Sequence, residues 1–224
     1  MNWDDLKFFL EKKMLQPEQT ALVPGSGVDI DSFNDCESQN ERLTFLLVSR
    51  LLKDKGIYEY IEAVRCLNKK YKHCKFLLAW QFDFGNPTSI SEDEVREWEN
   101  ENVIEFLGKS DNIKEFLKIS DVIVLPSYRE GLSRVLVEAA AASKPIITTN
   151  VPGCKEIVLN NKNGYLCKSK CPNSLKESIE KMIHLPKGER IKMGQNSNLI
   201  AKEKFDSDIV NNIYYKEVKK LCSI

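Results

Sequence analysis

Two glutamates eight residues apart, Glu130 and Glu138, are the acidic side chains best spaced to bind the hydroxyl groups of a ligand. They lie in the segment PSYREGLSRVLVEA, in which an apolar run ends at Leu125 and a helix is predicted to begin near Leu132. Eight residues of helix span about 12 Å, so the two carboxylates could hold hydroxyls at both ends of a diphosphate-bridged ligand. The alternative is that Glu130 is an acid favoured by the helix dipole and that Glu138 is an ordinary exposed helix residue.

The predicted start of this helix offers a binding site for a negatively charged group. The backbone N–H groups of Leu132, Ser133 and Arg134 would have no partner within the helix, and such groups suit phosphate. Gly131 has no side chain, so the backbone beside Glu130 can approach a ligand closely. The segment therefore predicts a site for a ligand that carries both phosphate and hydroxyl groups.

Two cations follow an earlier apolar run, in the segment VSRLLKDKG. Arg50 stands at the end of the run, and Lys55 stands just before Gly56 and a predicted helix. Two cations on one loop can neutralise a diphosphate, and arginine adds a bidentate fork. The alternative is a solvated loop in which a lysine flanks the helix.

Several common catalytic motifs are absent from the sequence. The segment VPGSGVDIDSF, with Gly25 and Gly27, predicts a tight backbone loop but lacks the third glycine of a dinucleotide-binding fingerprint. There is no Walker A or G-x-S-x-G motif, and neither His73 nor His184 lies beside a serine or cysteine nucleophile. These absences disfavour NAD enzymes, P-loop NTPases and serine hydrolases. Glu156, in a later loop, is a weaker candidate for a ligand contact.

The elements that must position these residues are those of an α/β domain. Short apolar runs alternate with amphipathic segments, which predicts a doubly wound parallel sheet of about six strands, with ligands at the carboxyl ends of the strands. The polar segment 81–90 is the main loop at that edge, and Ser91 with Glu94 forms a capping-box pattern. The predicted strands are 20–24, 43–49, 74–80, 102–107, 121–126 and 145–150, and the predicted helices are 55–71, 91–101, 113–120, 132–143, 173–183, 188–204 and 206–221.

Composition excludes several other classes of protein. The 224 residues include 33 basic and 33 acidic side chains, so the net charge of zero gives no case for nucleic acid as a partner. No run approaches the roughly 20 apolar residues of a membrane span. The seven scattered cysteines, several of them inside apolar runs, predict reduced thiols in a cytosolic protein.

Taken together, the segments resemble the C-terminal, donor-binding half of the retaining GT-B glycosyltransferases of family four, the glycosyl transferases group 1. Glu130 and Glu138 match the E-x7-E motif of that family. PGSGVDIDSF, SRLLKDKG, FLG, SDVIVLPSYREGLSRVLVEA, KPIITTNVPGCKEIV and NGYL occur in the family's order and spacing, over about residues 18–205. The resemblance implies a single Rossmann-like domain that forms one half of a GT-B fold.

The resemblance also implies roles for individual residues. Arg50 and Lys55 would hold the donor diphosphate, Glu130 the hydroxyls of the transferred sugar, and Glu138 those of the ribose. The segment Val103 to Gly108 would lie near the nucleobase. The family needs no metal, so neither a metal nor another cofactor is expected. The implied catalytic residues are Glu130, Arg50 and Lys55, and the implied donor-binding residues are Glu138, Gly131, Leu132, Ser133, Gly27, Val103 and Phe106.

The implied activity is transfer of a sugar, with retention, from a UDP-hexose or UDP-N-acetylhexosamine. The implied acceptor is a glycan or a polyprenyl-diphosphate-linked glycan in the synthesis of bacterial capsule or lipopolysaccharide. The alternative is a non-catalytic module that binds nucleotide sugars, or a truncated remnant. The expected location is the cytoplasm, with peripheral association of the parent enzyme with the inner membrane.

Family members also have an N-terminal, acceptor-binding half, which this sequence lacks. Residues 1–17 are expected to be the tail of the inter-domain connection, 18–205 the donor-binding domain, and 206–224 a helix that crosses back to the missing half. The chain would then be a cloned domain, a truncated gene product or one part of a split enzyme, and inactive alone. The last helix should carry an apolar stripe that the other half covers, formed by Ile209, Val210, Ile213, Tyr214 and Leu221.

Overall fold

Six parallel strands form one sheet with helices on both faces, in a computed structural model that describes residues 2–83 and 85–222. Met1, Phe84 in the predicted loop 81–90, and the last two residues of the predicted segment 206–224 lie outside the described residues. The strands are β1 (Leu43–Val48), β2 (Cys74–Ala79), β3 (Glu105–Phe106), β4 (Val122–Leu125), β5 (Ile146–Thr149) and β6 (Gly164–Cys167). The helices are α1 (Trp3–Glu11), α2 (Ile57–Lys70), α3 (Glu92–Asn100), α4 (Ile113–Lys118), α5 (Arg134–Ala141), α6 (Pro172–His184), α7 (Lys187–Lys204) and α8 (Ser207–Cys222).

The order of the strands places a ligand-binding edge between β1 and β4. The sheet runs β3-β2-β1-β4-β5-β6, so the chain reverses its direction of progress across the sheet at the β1–β4 pair. In open α/β sheets, ligands bind outside the carboxyl ends of the strands at this switch point. The loops that follow β1 and β4 carry the predicted cations and Glu130, so the topology brings these residues to one edge.

The core lies on both faces of the sheet, as the apolar runs predict. Phe45 and Leu47 of β1 belong to one buried cluster, with side chains from α2 and α6. Leu46 and Val48 alternate with them and belong to a second cluster, with side chains from α4 and α5. All four are fully buried, which is why β1 reads as a continuous apolar run.

The first predicted strand, 20–24, is wrong. Ala21 and Leu22 are exposed, so this run lacks the burial on both faces that inner strands of a parallel sheet have. The sixth strand is instead β6, which pairs with β5 from Ile146–Gly164 to Thr149–Cys167. The sequence of β6, GYLC, is short and begins with glycine, so its apolar pattern does not indicate a strand.

The seven predicted helices all occur, with shifted ends. The capping box of α3 is confirmed, because the Ser91 hydroxyl accepts from the Glu94 N–H at 3.3 Å and the Glu94 carboxylate accepts from the Ser91 N–H at 2.9 Å. Helix α5 begins at Arg134, two residues after the predicted start, with Ser133 as its N-cap residue.

One helix, α1, lies in the segment that the sequence predicts only as a connecting tail. The side chain of Asn2 caps it by accepting a hydrogen bond from the Asp5 N–H at 2.8 Å. Asp4 and Asp5 lie in its first turn, where the helix dipole favours acids. An asparagine followed by two acids is a start signal for a helix, and it is the feature that could have predicted α1.

The predicted apolar stripe on α8 requires correction at one position. Val210 is fully buried and packs beside Gly27, so it belongs to the core. Neither α8 nor any other helix within the described residues is long and apolar enough to cross a membrane. The apolar residues of α8 that are more than half exposed are Tyr214, Tyr215, Val218 and Leu221.

Candidate functional site

The centre of the site is an ion pair between the loops that follow β1 and β4. The Lys55 ammonium lies 2.6 Å from Glu130 Oε1, and the Ser127 hydroxyl donates to the same oxygen at 2.7 Å. The two charged side chains are only 18% and 14% exposed. Both contacts are made to Oε1, so within the described residues Glu130 Oε2 accepts no hydrogen bond and can receive one from a ligand.

Backbone contacts fasten three strand-end loops around this pair. The Tyr128 N–H donates to the Asp54 carbonyl at 2.8 Å, which joins the loop after β4 to the loop after β1. The Glu130 N–H donates to the Pro152 carbonyl at 3.1 Å, which joins it to the loop after β5. Gly153 has φ of 80°, and a Cβ there would lie 2.2 Å from the Glu130 carbonyl oxygen. Only glycine fits this close approach, so the loop after β5 sets the position of the Glu130 backbone.

Of the three N–H groups predicted to be free at the helix start, that of Ser133 is not free, whereas those of Leu132 and Arg134 donate to no oxygen within the described residues. The Ser133 N–H already donates to the Gly153 carbonyl at 3.0 Å, so it is not available to a ligand. The N–H groups of Gly131 and Leu132 donate to no oxygen within the described residues. A Cβ at Gly131 would meet nothing within 4 Å, so packing does not require glycine there and the loop is open to a ligand.

Glu138 is a buried carboxylate rather than an exposed helix residue. It is 8% exposed, and the Arg134 side chain donates to its Oε1 at 2.8 Å. The Arg134 side chain is 77% exposed, so this contact is screened by solvent and contributes little to stability. A ligand hydroxyl can therefore share or replace it at low cost.

Arg50 lies on the rim of the site. Its guanidinium pairs with the Asp83 carboxylate at 3.0 Å, in the loop that follows β2, and its side chain is 54% exposed. Lys55 is thus the partly buried cation that holds Glu130, whereas Arg50 is the exposed one.

Two predicted donor-binding residues, Val103 and Gly27, have different surroundings from those expected, whereas Phe106 lies at the expected edge of the sheet. Val103 is a core residue, 4% exposed, and it precedes β3, so it lies at the opposite end of that strand from the ligand edge. Phe106 is the last residue of β3, at the ligand edge, and its ring packs against that of Phe82 with 5.6 Å between the ring centroids. At Gly27 a Cβ would lie 2.8 Å from Ser207 Cα, so this glycine packs against α8, and it is Gly25 that faces Leu132.

Two further residues brace the loop that carries Glu130, and the sequence reasoning missed both. The Tyr128 hydroxyl donates to Glu59 Oε1 at 2.7 Å, from the loop after β4 to α2. Burial, together with this hydrogen bond, raises the pKa of Tyr128, so the hydroxyl stays protonated as a donor. Glu59 lies in α2, shortly after Lys55 in the sequence. Its position in the sequence does not indicate that it pairs with a residue 69 positions away.

Within the residues that the structure describes, no group of three or more His, Cys, Asp or Glu side chains is placed to hold a metal ion. The polar groups at the switch point include the Lys55 ammonium, the carboxylates of Glu130 and Glu138, and backbone N–H groups that have no partner within the described residues. This set can bind hydroxyls and anionic oxygens together, which matches the chemistry of a nucleotide diphosphate sugar.

Known proteins with similar sequences are glycosyltransferases. The capsular polysaccharide biosynthesis glycosyltransferase CapM of Staphylococcus aureus is 33% identical over 171 residues, which are 76% of this chain and 44% of that protein. The N,N'-diacetylbacillosaminyl-diphospho-undecaprenol alpha-1,3-N-acetylgalactosaminyltransferase of Campylobacter jejuni is 31% identical over 221 residues, 93% of this chain and 56% of that protein. The chain therefore spans about half the length of these curated relatives.

A solved structure confirms the fold. The Anabaena protein Alr3699/HepE, in complex with UDP and glucose, superimposes with a TM-score of 0.78 at 22% identity, over 100% of this chain and 62% of that one. The chain thus has the Rossmann-like fold of one GT-B half. The family model described as Glycosyl transferases group 1 matches residues 29–199, a span that includes Lys55, Glu130 and Glu138. With that match, and with the ion pair at the switch point of the sheet, the chain belongs to the glycosyl transferases group 1 family.

Proposed function

We propose that this chain is the donor-binding half of a glycosyltransferase that uses a UDP-hexose or a UDP-N-acetylhexosamine. The observation that carries the proposal is the Lys55–Glu130 pair at the β1–β4 switch point, where a partly buried cation and a carboxylate with one free oxygen meet. The cation suits the donor diphosphate, and the free oxygen suits a hydroxyl of the sugar. Glu138, farther along α5, suits the ribose hydroxyls.

The chemistry that this arrangement supports is stabilisation of the leaving diphosphate. As the bond between the sugar and the diphosphate breaks, negative charge grows on the phosphate oxygens. Lys55 is fixed before the reaction begins, so it can stabilise that charge without reorganising. Arg50 supplies a second cation from the rim. Lys55 and Arg50 can together neutralise the diphosphate. We therefore propose that no metal ion takes part.

The relatives support the class of acceptor. One of the relatives is named for capsular polysaccharide biosynthesis and another for a diphospho-undecaprenol acceptor. We therefore extend the proposal to transfer, with retention, onto a glycan or a polyprenyl-diphosphate-linked glycan of the bacterial surface. We propose that the enzyme works in the cytoplasm, in peripheral contact with the membrane.

We propose that the acceptor is bound by a second half that packs against this domain. The chain spans about half of its curated relatives, and α8 exposes four apolar side chains that such a half would cover. The segment 1–17 would then join the two halves. We therefore expect this chain to bind the donor but not to transfer its sugar.

Calorimetric titration of the chain with UDP, GDP and ADP tests the proposal. We expect UDP to bind most tightly, with the same affinity in EDTA as in Mg²⁺. Tighter binding of GDP or ADP would contradict the uridine donor. Loss of binding on chelation would contradict the metal-free diphosphate site, and no binding of any of the three would contradict the donor site itself.

A further inference from the structure

Helix α1 is fastened to the loop that carries Glu130 by a buried asparagine. Asn2 is 3% exposed, and its side-chain amide donates to the backbone carbonyls of Glu130 and Gly131, at 3.1 Å in each case. The same side chain caps α1 through its oxygen, which accepts from the Asp5 N–H. One residue therefore ties the start of α1 to two consecutive peptide groups of the site.

Two ion pairs connect the same turn of α1 to the same edge of the sheet. Asp5 pairs with Arg129, the residue before Glu130, and Asp4 pairs with Lys155 at 3.0 Å, in the loop after β5. The side chains of Arg129, Asp4 and Lys155 are more than a third exposed, so solvent weakens both pairs. The buried Asn2 contacts are therefore the stronger part of this connection.

The geometry of the peptide group gives the Asn2 contacts a consequence for the site. In a trans peptide the C=O and the N–H point in opposite directions, and within the described residues no peptide bond is cis. The Glu130 carbonyl shares its peptide with the Gly131 N–H, and the Gly131 carbonyl shares its peptide with the Leu132 N–H. Because Asn2 holds both carbonyls, it turns both N–H groups away from α1. These are the two N–H groups beside Glu130 that have no partner within the described residues.

We propose that Asn2 is a positioning residue for the sugar subsite. It acts through the Glu130–Leu132 backbone, by holding the Glu130 side chain and the two free N–H groups in the orientation that receives the hydroxyls of the donor sugar. This inference rests on the proposed function, because it assumes that Glu130 binds the sugar of a nucleotide sugar. Helix α1 then contributes to the donor site through Asn2.

The variant Asn2→Ser separates this role from helix capping. Serine caps a helix as well as asparagine does but is too short to donate to the two carbonyls, so α1 should stay folded. The readout is the sugar advantage, defined as the Kd of UDP divided by the Kd of the tighter binder of UDP-glucose and UDP-N-acetylglucosamine. We expect Asn2→Ser to lower this ratio about three- to ten-fold while the Kd of UDP stays unchanged. A general loss of stability would not change the ratio.

Asn198→Ser is the matched control. Asn198 also donates its amide to a backbone carbonyl, that of Ala141, but at the far end of α5. It should leave the sugar advantage unchanged. Asn2→Asp, which caps equally well and also lacks the amide donors, should repeat the loss seen with Asn2→Ser. An unchanged ratio in both Asn2 variants, or an equal loss in the control, would overturn the proposal.

Glu130→Ala distinguishes failure of this inference from failure of the proposed function. If Glu130→Ala lowers the sugar advantage and the Asn2 variants do not, only the positioning role of Asn2 is wrong. If Glu130→Ala leaves the ratio unchanged, or if the wild-type chain shows no sugar advantage, the sugar site is wrong and the inference falls with it.

Discussion

Glu130 is held on both its side chain and its backbone, by residues from separate parts of the chain. Lys55 and Ser127 bind the carboxylate, and Asn2 binds the carbonyl. The sequence predicts Glu130 and Lys55 from their residue types and from the loops that carry them. It does not predict that they pair with each other, or that Asn2 takes part, because these contacts join residues 75 and 128 positions apart.

The Lys55–Glu130 pair should be visible as an energetic coupling. Each single variant, Lys55→Met or Glu130→Gln, leaves a largely buried polar or charged group without its partner, and should lower the free energy of unfolding by about 1.5–3 kcal/mol. The double variant removes both charges and should be more stable than the sum of the single losses predicts. Urea unfolding followed by circular dichroism measures all four proteins. Strictly additive losses would mean that the pair contributes no coupling.

The buried cysteines should be unreactive, and their contribution to stability should fall at high pH. Within the described residues all seven cysteines are free, and burial raises the pKa of Cys154 from 9.0 to about 11 and that of Cys167 from 9.0 to about 12. Because the folded state holds these protons more tightly than the unfolded chain, stability is lost as the pH rises from about 9 towards 11 or 12.

Iodoacetamide at pH 8 should therefore modify the exposed Cys66 and Cys222 rapidly and spare Cys154 and Cys167. Peptide mapping by mass spectrometry gives the rate at each position. Rapid modification of Cys154 in the folded protein would show that the loop after β5 opens, and that the packing of Gly153 on Glu130 is less firm than the structure indicates.

Among the secondary-structure elements, the inner strands and the amphipathic helices are predictable from the sequence. The edge strand β6 and the exact start of α5 are not. β1 and β4 are buried on both faces and leave continuous apolar runs, whereas β6 is a short edge strand that begins with glycine. The start of α3 is predictable from its capping box, but α5 begins two residues later than its apolar pattern suggests. That shift matters for the site, because it leaves Gly131 and Leu132 in a loop with unpaired N–H groups.

Helix α8 should be the least protected long helix of the chain. Only Val210 is buried in it, and its second half exposes Tyr214, Tyr215, Val218 and Leu221. We expect amide hydrogen exchange in 211–221 to be much faster than in β1 and β4, because few buried contacts oppose local opening there.

The exposed apolar residues of α8 should also cause weak self-association, which analytical ultracentrifugation measures. The variant Tyr215→Glu/Val218→Glu should reduce that association without changing nucleotide affinity. Exchange in 211–221 as slow as in the central strands, in a strict monomer, would contradict this account of α8.

At the scale of the whole molecule, the sequence predicts the fold class and the edge of the sheet that carries the candidate site. A doubly wound sheet places its switch point between β1 and β4, and the residues with the strongest chemical signals stand on the loops after those strands. Which residues face the ligand is less predictable. Val103 follows a correctly predicted helix, but the strand after it begins at Glu105, so Val103 packs into the core.

The central claim, that Glu138 holds the ribose and Glu130 the sugar, is tested most directly by calorimetry on two single variants. Loss of a charged hydrogen-bond acceptor typically weakens binding roughly ten- to a hundred-fold. Glu138→Ala should therefore weaken UDP, UDP-glucose and UDP-N-acetylglucosamine alike. Glu130→Ala should weaken only the two sugar nucleotides, because UDP has no hexose for it to hold. Unchanged affinity of both folded variants for all three ligands would contradict the assignment.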